Sequence, residues 1–378
     1  VKSRGIRLQY SFESVGQRGA EVHNPLFDLL SALREQGSIQ QAARALGASY
    51  RHVWGQVKHW EAVLGEPLVH WVQGQPTRLT PFAERLLWAE ARARARLVPH
   101  IEALRAELEH VLAEALDGVR PVLPIWASHD LALPGLREPA AALGLHIELR
   151  FAGSMDALRA LAEGRCAVAG FHVPPLPDNR NRFARGLKPL LKPGRHKLIG
   201  CMRRRQGLLL ASGNPLRIQG LADLARLGAR FVNRQPGSGT RLLTEHLLAG
   251  EGLAESLIPG YFDRAEDSHL AVASAVAAGQ ADAAIGIEAA AGACALDFLP
   301  LAEEDYFLVC LAPTLELPAV QRLRQALQSA AWAAHLAGVP GCQAGHCGEV
   351  LSLTRALPWW HFRSARAHGR RPASRAGA

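Results

Sequence analysis

Between Pro25 and Leu64 the apolar positions recur at three- and four-residue spacing, three times in succession. Leu26, Leu29, Leu30 and Leu33 make the first stripe, opened by Pro25 and closed by Gly37. Ser38 precedes the second, with Ile39, Ala42, Ala43 and Leu46 on one face and Gly47 at its end. Ser49 precedes the third, whose stripe is Val53, Val57, Trp60 and Leu64. The spacing predicts three short helices, the last two joined by Gly47-Ala48-Ser49, with Ser38 and Ser49 as caps. "PLVHWVQGQPTRLTP" then alternates apolar and polar residues around Gly74–Pro76 and predicts a two-stranded hairpin. From Thr80 and Pro81 a long helical pattern runs through Leu86, Leu87, Ala91, Ala95, Leu97, Ile101, Leu104, Leu108, Val111 and Leu112. A small domain cannot bury so long a helix, so the pattern predicts a dimerising helix pair, kinked at Pro99.

After Pro121 the texture changes. "PVLPIWAS", "LHIELRFAG" and "RCAVAGFHV" read as strands, separated by the helical "LALPGLREPAAALG" and "SMDALRALAEG". The order βαβαβ implies a parallel sheet covered on both faces. It recurs as strand "ARFVNR", helices "GTRLLTEHLLAGEG" and "SHLAVASAVAAGQ", and strand "DAAIGI". "KLIGCMRRRQGLLLAS" and "YFLVCLAPTLEL" would join two such lobes as a double crossover hinge. The expected class is therefore α + α/β. A flexible arm over 1–24 precedes a winged helix-turn-helix with its long helix over 25–116. A two-lobed α/β domain follows over 121–362, and a disordered basic tail over 363–378.

Composition changes this picture little. At 48% hydrophobic and 20% charged residues the chain is ordinary globular material. The net charge of +9 favours a polyanionic partner, but much of it is local, in Arg203-Arg204-Arg205 and in a tail with five arginines and no acid. No window approaches ~18 uninterrupted apolar residues, so no membrane partner is expected. The first residues lack the apolar centre and cleavage site of a secretory signal, which leads to an expectation of the cytoplasm and reduced thiols. Cys166, Cys201, Cys294 and Cys310 read as small core residues. Cys342, His346 and Cys347 cluster, but a metal site wants a fourth ligand and tighter spacing, so a surface loop is expected, with no metal and no cofactor.

The second and third helices have helix-turn-helix spacing, with Ala42 and Ala43 small enough for a close crossing. Ser49, Tyr50, Arg51, His52, Trp54, Gln56 and Lys58 lie at the start of the third helix or beside its apolar stripe, and Gln75 and Arg78 near the hairpin tip. Such side chains suit base edges and phosphates of double-stranded DNA. The competing reading is a three-helix protein-binding module with a solvated polar face. On Gly37-Ser38-Ile39, Ala42-Ala43, Gly47, Ser49-Tyr50, Trp54 and Leu79-Thr80-Pro81, the segment resembles the winged helix-turn-helix of LysR-type regulators, and more closely the N-terminal domain of molybdate-responsive ModE-type regulators. The resemblance implies a regulator binding a palindromic operator as a homodimer or a dimer of dimers.

In the α/β region the informative places are strand-to-helix junctions: Ser128-His129-Asp130, Gly153-Ser154, the run from Asn233 and Arg234 through Gly237, Ser238, Gly239, Thr240 and Arg241, and Ser268-His269. Each offers hydroxyls and free N–H groups at the positive end of a helix, and the glycines admit close approach. Any one serine is explained as a helix cap. The junctions together point to an oxyanion or carboxylate held between lobes, with Arg234 and Arg241 suited to gripping a carboxylate in bidentate fashion. "QPGSGTR" lacks the GK[ST] ending of a nucleotide loop, and Ser128, His129 and Asp130 are neighbours, so they are not a triad by adjacency. No catalytic residue, and no enzyme, is expected.

"ASHDLAL", "AGSMDALRAL", "FVNRQPGSGTRLL", "SHLAVASAVAAGQADAAIGI" and "CGEVLSLTRALPWW" resemble the type II periplasmic-binding-protein fold, especially its molybdate-binding-like soluble domains. That resemblance implies a small-ligand sensor, with molybdate or tungstate as leading effector. The usual molybdate regulator instead ends in a pair of small β-barrels, of which nothing is seen, so a small carboxylate or a molybdenum-cofactor-related metabolite stays open. A solute-binding component of a transport system is the alternative from another class. Arg51→Ala should weaken specific DNA binding by about 1–3 kcal/mol if the guanidinium reaches a guanine edge; a gel shift with equal retardation of both forms would remove Arg51 from the interface.

Overall fold

In the computed structural model of the protein, residues 24–71, 76–117, 121–176 and 182–360 are described. Asn24 opens α1 (Pro25–Gln36) by accepting the Leu26 N–H at 3.0 Å, and Gly37 closes it with φ at 60°. The helix-turn-helix pair is α2 (Ile39–Ala45) and α3 (Tyr50–Leu64). Ser49 Oγ caps α3 by accepting the His52 N–H at 3.2 Å. Ser38 stands at the α2 cap position in extended conformation but makes no side-chain cap bond. The anticipated stripes form one core, in which Leu30, Leu33, Ala42, Val53, Val57 and Leu68 are fully or almost fully buried. Each such leucine contributes about 1.5–3 kcal/mol. Leu46 is exposed instead, because α2 stops one residue before it.

The wing is β1 (Val69–His70) paired antiparallel with β2 (Arg78–Leu79), Val69 opposite Leu79. Gln75 at its tip lies outside the described residues, as do the N-terminal arm through residue 23 and the basic tail. Thr80 joins wing and long helix: its hydroxyl donates to Pro67 O at 2.7 Å and accepts the Ala83 N–H at 3.2 Å. The helix α4 (Pro81–Asp117) runs on past Pro99 as one element.

Lobe I follows with β3 (Val122–Ser128), α5 (Arg137–Ala142), β4 (His146–Ala152), α6 (Ser154–Ala162), β5 (Val168–Val173) and α7 (Arg182–Leu187). A 15-residue strand, β6 (His196–Leu210), crosses to lobe II. There lie α8 (Leu221–Arg226), β7 (Phe231–Arg234), α9 (Gly239–Gly250), β8 (Ala265–Glu266), α10 (His269–Ala277), β9 (Ala283–Ile287) and α11 (Glu288–Ala293). A second 15-residue strand, β10 (Asp297–Leu311), returns, followed by α12 (Pro318–Leu327), α13 (Ala330–Ala337), β11 (Cys342–Gln343), β12 (Val350–Leu351) and α14 (Leu353–Ala356). The sheet runs β4-β3-β5-β10-β6-β9-β7-β8, with β11 and β12 also on β6. Within each lobe the strands β3 to β5 and β7 to β9 pair in parallel, while β6 and β10 pair antiparallel with each other and with their lobe neighbours. These two strands are the expected double crossover, and they place the C-terminal ends of both parallel sets toward one cleft. No helix among the described residues is long and apolar enough to cross a membrane.

Cys166, Cys201, Cys294 and Cys310 are buried as expected. The expected loop around Cys342 and Cys347 is in part the strand β11, and both cysteines pack half-buried on the lobe I core, where Cys347 Sγ donates to Cys201 O at 2.9 Å. Among the described residues no group of three or more His, Cys, Asp or Glu side chains could hold a metal ion.

The long helix packs on α10 and β4 of its own chain. Arg92 and Arg96 converge on Glu266, whose side chain is 1% exposed: Arg92 Nε and Arg96 Nη2 donate to Oε1 at 2.9 and 2.8 Å, and Arg96 Nε to Oε2 at 2.7 Å. Arg92 Nη1 also donates to Gln280 Oε1, and Ser268 Oγ to the carbonyl of Ala95 at 3.3 Å. Trp88 packs on the lobe II core and carries the Arg34 guanidinium 4.5 Å above its ring. Leu104 is 49% exposed and is left over for another partner. Removing Arg92 and Arg96 together, as alanines, leaves a buried carboxylate without a counter-charge. Stability should fall by about 3 kcal/mol, and adding Glu266→Gln should restore most of it. Urea midpoints test this, and an unmoved midpoint in the double variant would mean that α4 does not dock here in solution.

Candidate functional site

At the cleft, three junctions of lobe I meet two regions of lobe II. Ser128 and His129 follow β3, Ala152 to Ser154 join β4 to α6, and His172 lies near the end of β5. Opposite stand Arg234 and Gln235 after β7, Ser238 to Thr240 at the start of α9, and Asp267 and His269 between β8 and α10. Together they enclose a cavity of about 20 Å³. That exceeds the ~10–15 Å³ one water needs, measured in the same way. The lobes touch through glycines. A Cβ on Gly239 would lie 2.6 Å from His172 Nε2, and one on Gly153 would lie 3.5 Å from the carbonyl of Gly237.

Beneath the cavity lies a buried charge network on the crossover strands. Arg204 of β6 stands directly opposite Glu304 of β10 in the register, and its Nε donates to Glu304 Oε1 at 2.6 Å. Arg204 Nη1 reaches Asp130 Oδ2, Gln206 donates to Glu304 Oε1 at 2.7 Å, and His172 Nδ1 lies 2.7 Å from Glu304 Oε2. Burial alone would raise the Glu304 pKa, but His172 and Arg204 hold it down to about 2. Ser128 Oγ and Tyr306 share two bonds, Ser128 Oγ to the phenol oxygen at 3.0 Å and the phenol O–H to Ser128 O at 2.7 Å.

The cavity wall itself is unmatched. Arg234 Nε donates to Glu266 O at 3.3 Å and Nη2 to Asp267 O at 2.7 Å, while Nη1 is buried with no partner. Burial, then repulsion from Arg204, lowers its pKa to about 10, so it stays charged at neutral pH. Ser154 Oγ, Thr240 Oγ1, His129 Nδ1 and His269 Nδ1 are likewise buried without partners. Burial, with Arg234 and Arg204 adding to it, lowers His129 to about 3 and puts His269 well below its ordinary value. Both imidazoles are neutral, so each can present an N–H or a lone pair. A charged guanidinium, two free hydroxyls and the N-termini of α6 and α9 line one small space with hydrogen-bond donors and positive charge, a chemistry that suits an anion.

The family model for the PBP superfamily domain matches residues 138–328, just over half of the chain. The chain belongs to the PBP superfamily. The model for bacterial regulatory helix-turn-helix proteins of the lysR family matches residues 26–84. This member of the superfamily therefore carries a LysR-type helix-turn-helix fused to its PBP-like domain. It is 33% identical over 205 residues to the uncharacterized protein YvgK of Bacillus subtilis (strain 168), covering 54% of this chain and 65% of that protein. A hydrogen-peroxide-bound mutant of OxyR from Corynebacterium glutamicum is similar at 17% identity over 82% of this chain and 94% of that one, with a TM-score of 0.41. LysG of Corynebacterium glutamicum with its effector Arg bound covers 82% and 98% at 19% identity and a TM-score of 0.38. CbnR in complex with its target DNA covers 81% and 98% at 16% identity, with a TM-score of 0.38.

Of the residues anticipated for the PBP-like site, Ser128, His129, Ser154, Arg234, Ser238, Gly239, Thr240 and His269 line the cavity. Four do not. Asp130 turns below it, accepting the Ala132 and Leu133 N–H groups and pairing with Arg204. Asn233 bonds to Tyr261 O and to the Arg234 N–H. Gly237 makes the turn with φ at 83°. Arg241 lies 4.2 Å over the Tyr261 ring and bonds Glu245, pointing away from the cleft. Ser238 lines the wall, but its hydroxyl is spent capping α9. His172 and Asp267 were missed. A histidine ending the apolar strand "AVAGFHV" was a usable signal, whereas Asp267 had none beyond adjacency to Ser268.

At the other end of the molecule, Tyr50, Arg51, His52 and Arg78 are exposed. Trp54 is half-buried against the core, edge-on to Trp71 at 6.4 Å, and Gln56 is also half-buried. Lys58 is exposed but pairs with Glu61 at 2.8 Å and covers the Trp54 ring. Ser49 is used as the α3 cap. Of the anticipated α3 residues, those exposed and not engaged by a neighbouring side chain lie in its first turn.

The buried histidines set a pH dependence. For His129, His172 and His269 the folded pKa lies below the ordinary 6.5, so their contribution is complete above pH 6.5 and is lost as pH falls and the unfolded chain takes up protons. His129 and His269, shifted furthest, each contribute a slope of about 1.4 kcal/mol per pH unit just below pH 6.5. Urea midpoints should drop between pH 6.5 and about 5, and His269→Asn should make that drop shallower; a midpoint flat over this range would place these histidines in water.

Proposed function

We propose that this chain is a one-component transcription regulator whose PBP-like domain senses a small anion. On this reading it acts in the cytoplasm, where α3 and the wing read a palindromic operator and a second copy supplies the symmetric half, as a dimer or a dimer of dimers. The single observation that carries the sensing half is the buried, charged Arg234 with Nη1 unpartnered beside the free hydroxyls of Ser154 and Thr240. Molybdate and tungstate, suggested by the resemblance to molybdate-responsive regulators, are the first members of the class to try.

Two features narrow the alternatives. Bidentate capture of a carboxylate is disfavoured, because Arg234 already commits Nε and Nη2 to carbonyls and Arg241 faces elsewhere. A molecule the size of a molybdenum cofactor does not suit a cavity of about 20 Å³. A route to the DNA end is also present. Arg234 grips the carbonyls of Glu266 and Asp267, while Arg92 and Arg96 of α4 grip the Glu266 carboxylate. A ligand that tightens this segment biases how α4 sits, and hence the spacing of two DNA-reading heads. Calorimetry of the full chain with molybdate, tungstate, sulfate, formate and nitrate should find binding that Arg234→Met weakens at least tenfold. Absence of binding by these five and by phosphate and hydrogen carbonate, or equal affinity in the variant, would remove the anion reading.

A further inference from the structure

Asp267 also lines the cavity, and its Oδ1 is buried without a hydrogen-bond partner. A carboxylate oxygen only accepts, and leaving one buried and unpaired is costly. Around it, Arg234 only donates, whereas the hydroxyls of Ser154 and Thr240 and the neutral imidazoles of His129 and His269 can do either. The polarity of the wall is therefore fixed at two points: a donor at Arg234 and an acceptor at Asp267. We infer that the site is built for a small oxyanion that carries a proton, its charged oxygens on Arg234, Ser154 and Thr240 and its O–H donating to Asp267 Oδ1.

This deepens the anion reading and rests on it. A fully deprotonated oxyanion of the same size would face Asp267 with an oxygen, so that two negative acceptors meet with no hydrogen between them. The residue thus selects within the class by rejection as much as by attraction. Inorganic phosphate and hydrogen carbonate carry a proton at neutral pH; sulfate, molybdate and tungstate do not. Asp267 is followed by Ser268, which caps α10 and donates to Ala95 O of α4, so a bond made at Asp267 forms within the segment that holds the long helix.

The test is calorimetry of the full chain with phosphate, hydrogen carbonate, sulfate and molybdate, on wild type and Asp267→Asn. The amide is isosteric but offers a donor. In wild type a protonated anion should bind at least tenfold more tightly than either bare one, and in Asp267→Asn the ratio should collapse or invert toward sulfate and molybdate. Asp267→Glu, which keeps the acceptor, should keep the sign of the preference. Wild-type binding of sulfate or molybdate as tight as that of phosphate and hydrogen carbonate would overturn the inference and leave the anion site standing. An unchanged ratio in Asp267→Asn would do the same. If none of the four binds, the anion reading falls with it. Should Asp267→Asn fail to fold, the wild-type ratios decide alone.

Discussion

Arg204 and Glu304 face each other across the two strands that join the lobes, with Asp130 and His172 closing the group from lobe I. All four are buried, and the hinge cannot shift without breaking bonds between ions that water does not reach. This network fixes the floor of the cleft and sets the electrostatics above it. Arg204 has its counter-charges below; Arg234, a level higher, is repelled by it and keeps Nη1 without a partner at the cavity beside Asp267. The neutral state of His129 and His269 follows from the same two guanidinium groups together with burial.

The second organising contact is the Glu266 carboxylate. It takes Arg92 and Arg96 of α4 on its side chain while its carbonyl takes Arg234. Three residues, Glu266 to Ser268, are therefore common to the ligand wall, the cap of α10 and the dock of the long helix. Under the proposed function, such sharing would carry a small movement at the cavity to the helix-turn-helix end without any long chain of contacts. It also limits what α4 offers a second copy. Its middle is occupied, and Leu104 further along is exposed.

What the sequence determined by itself is the set of elements and the junctions. Apolar spacing, glycine stops and serine caps are local, so α1 to α3, the wing, the start of α4 and both crossover strands were legible, as were the serines and glycines at the strand-to-helix junctions. The errors have one source. Adjacency in sequence does not fix direction: Asp130 follows His129 but points to the hinge, and Asn233 precedes Arg234 but points to Tyr261. Arg241, read as a ligand clamp from its charge, found the Tyr261 ring and, one turn along its own helix, the Glu245 carboxylate. Only the tertiary structure could bring His172 against Gly239, more than sixty residues later in the chain, leave Asp267 with an unpaired oxygen, and spend Arg92 and Arg96 on Glu266. The physical reason is that burial and charge matching are settled between segments distant in sequence, whereas helix and strand preference is settled within them.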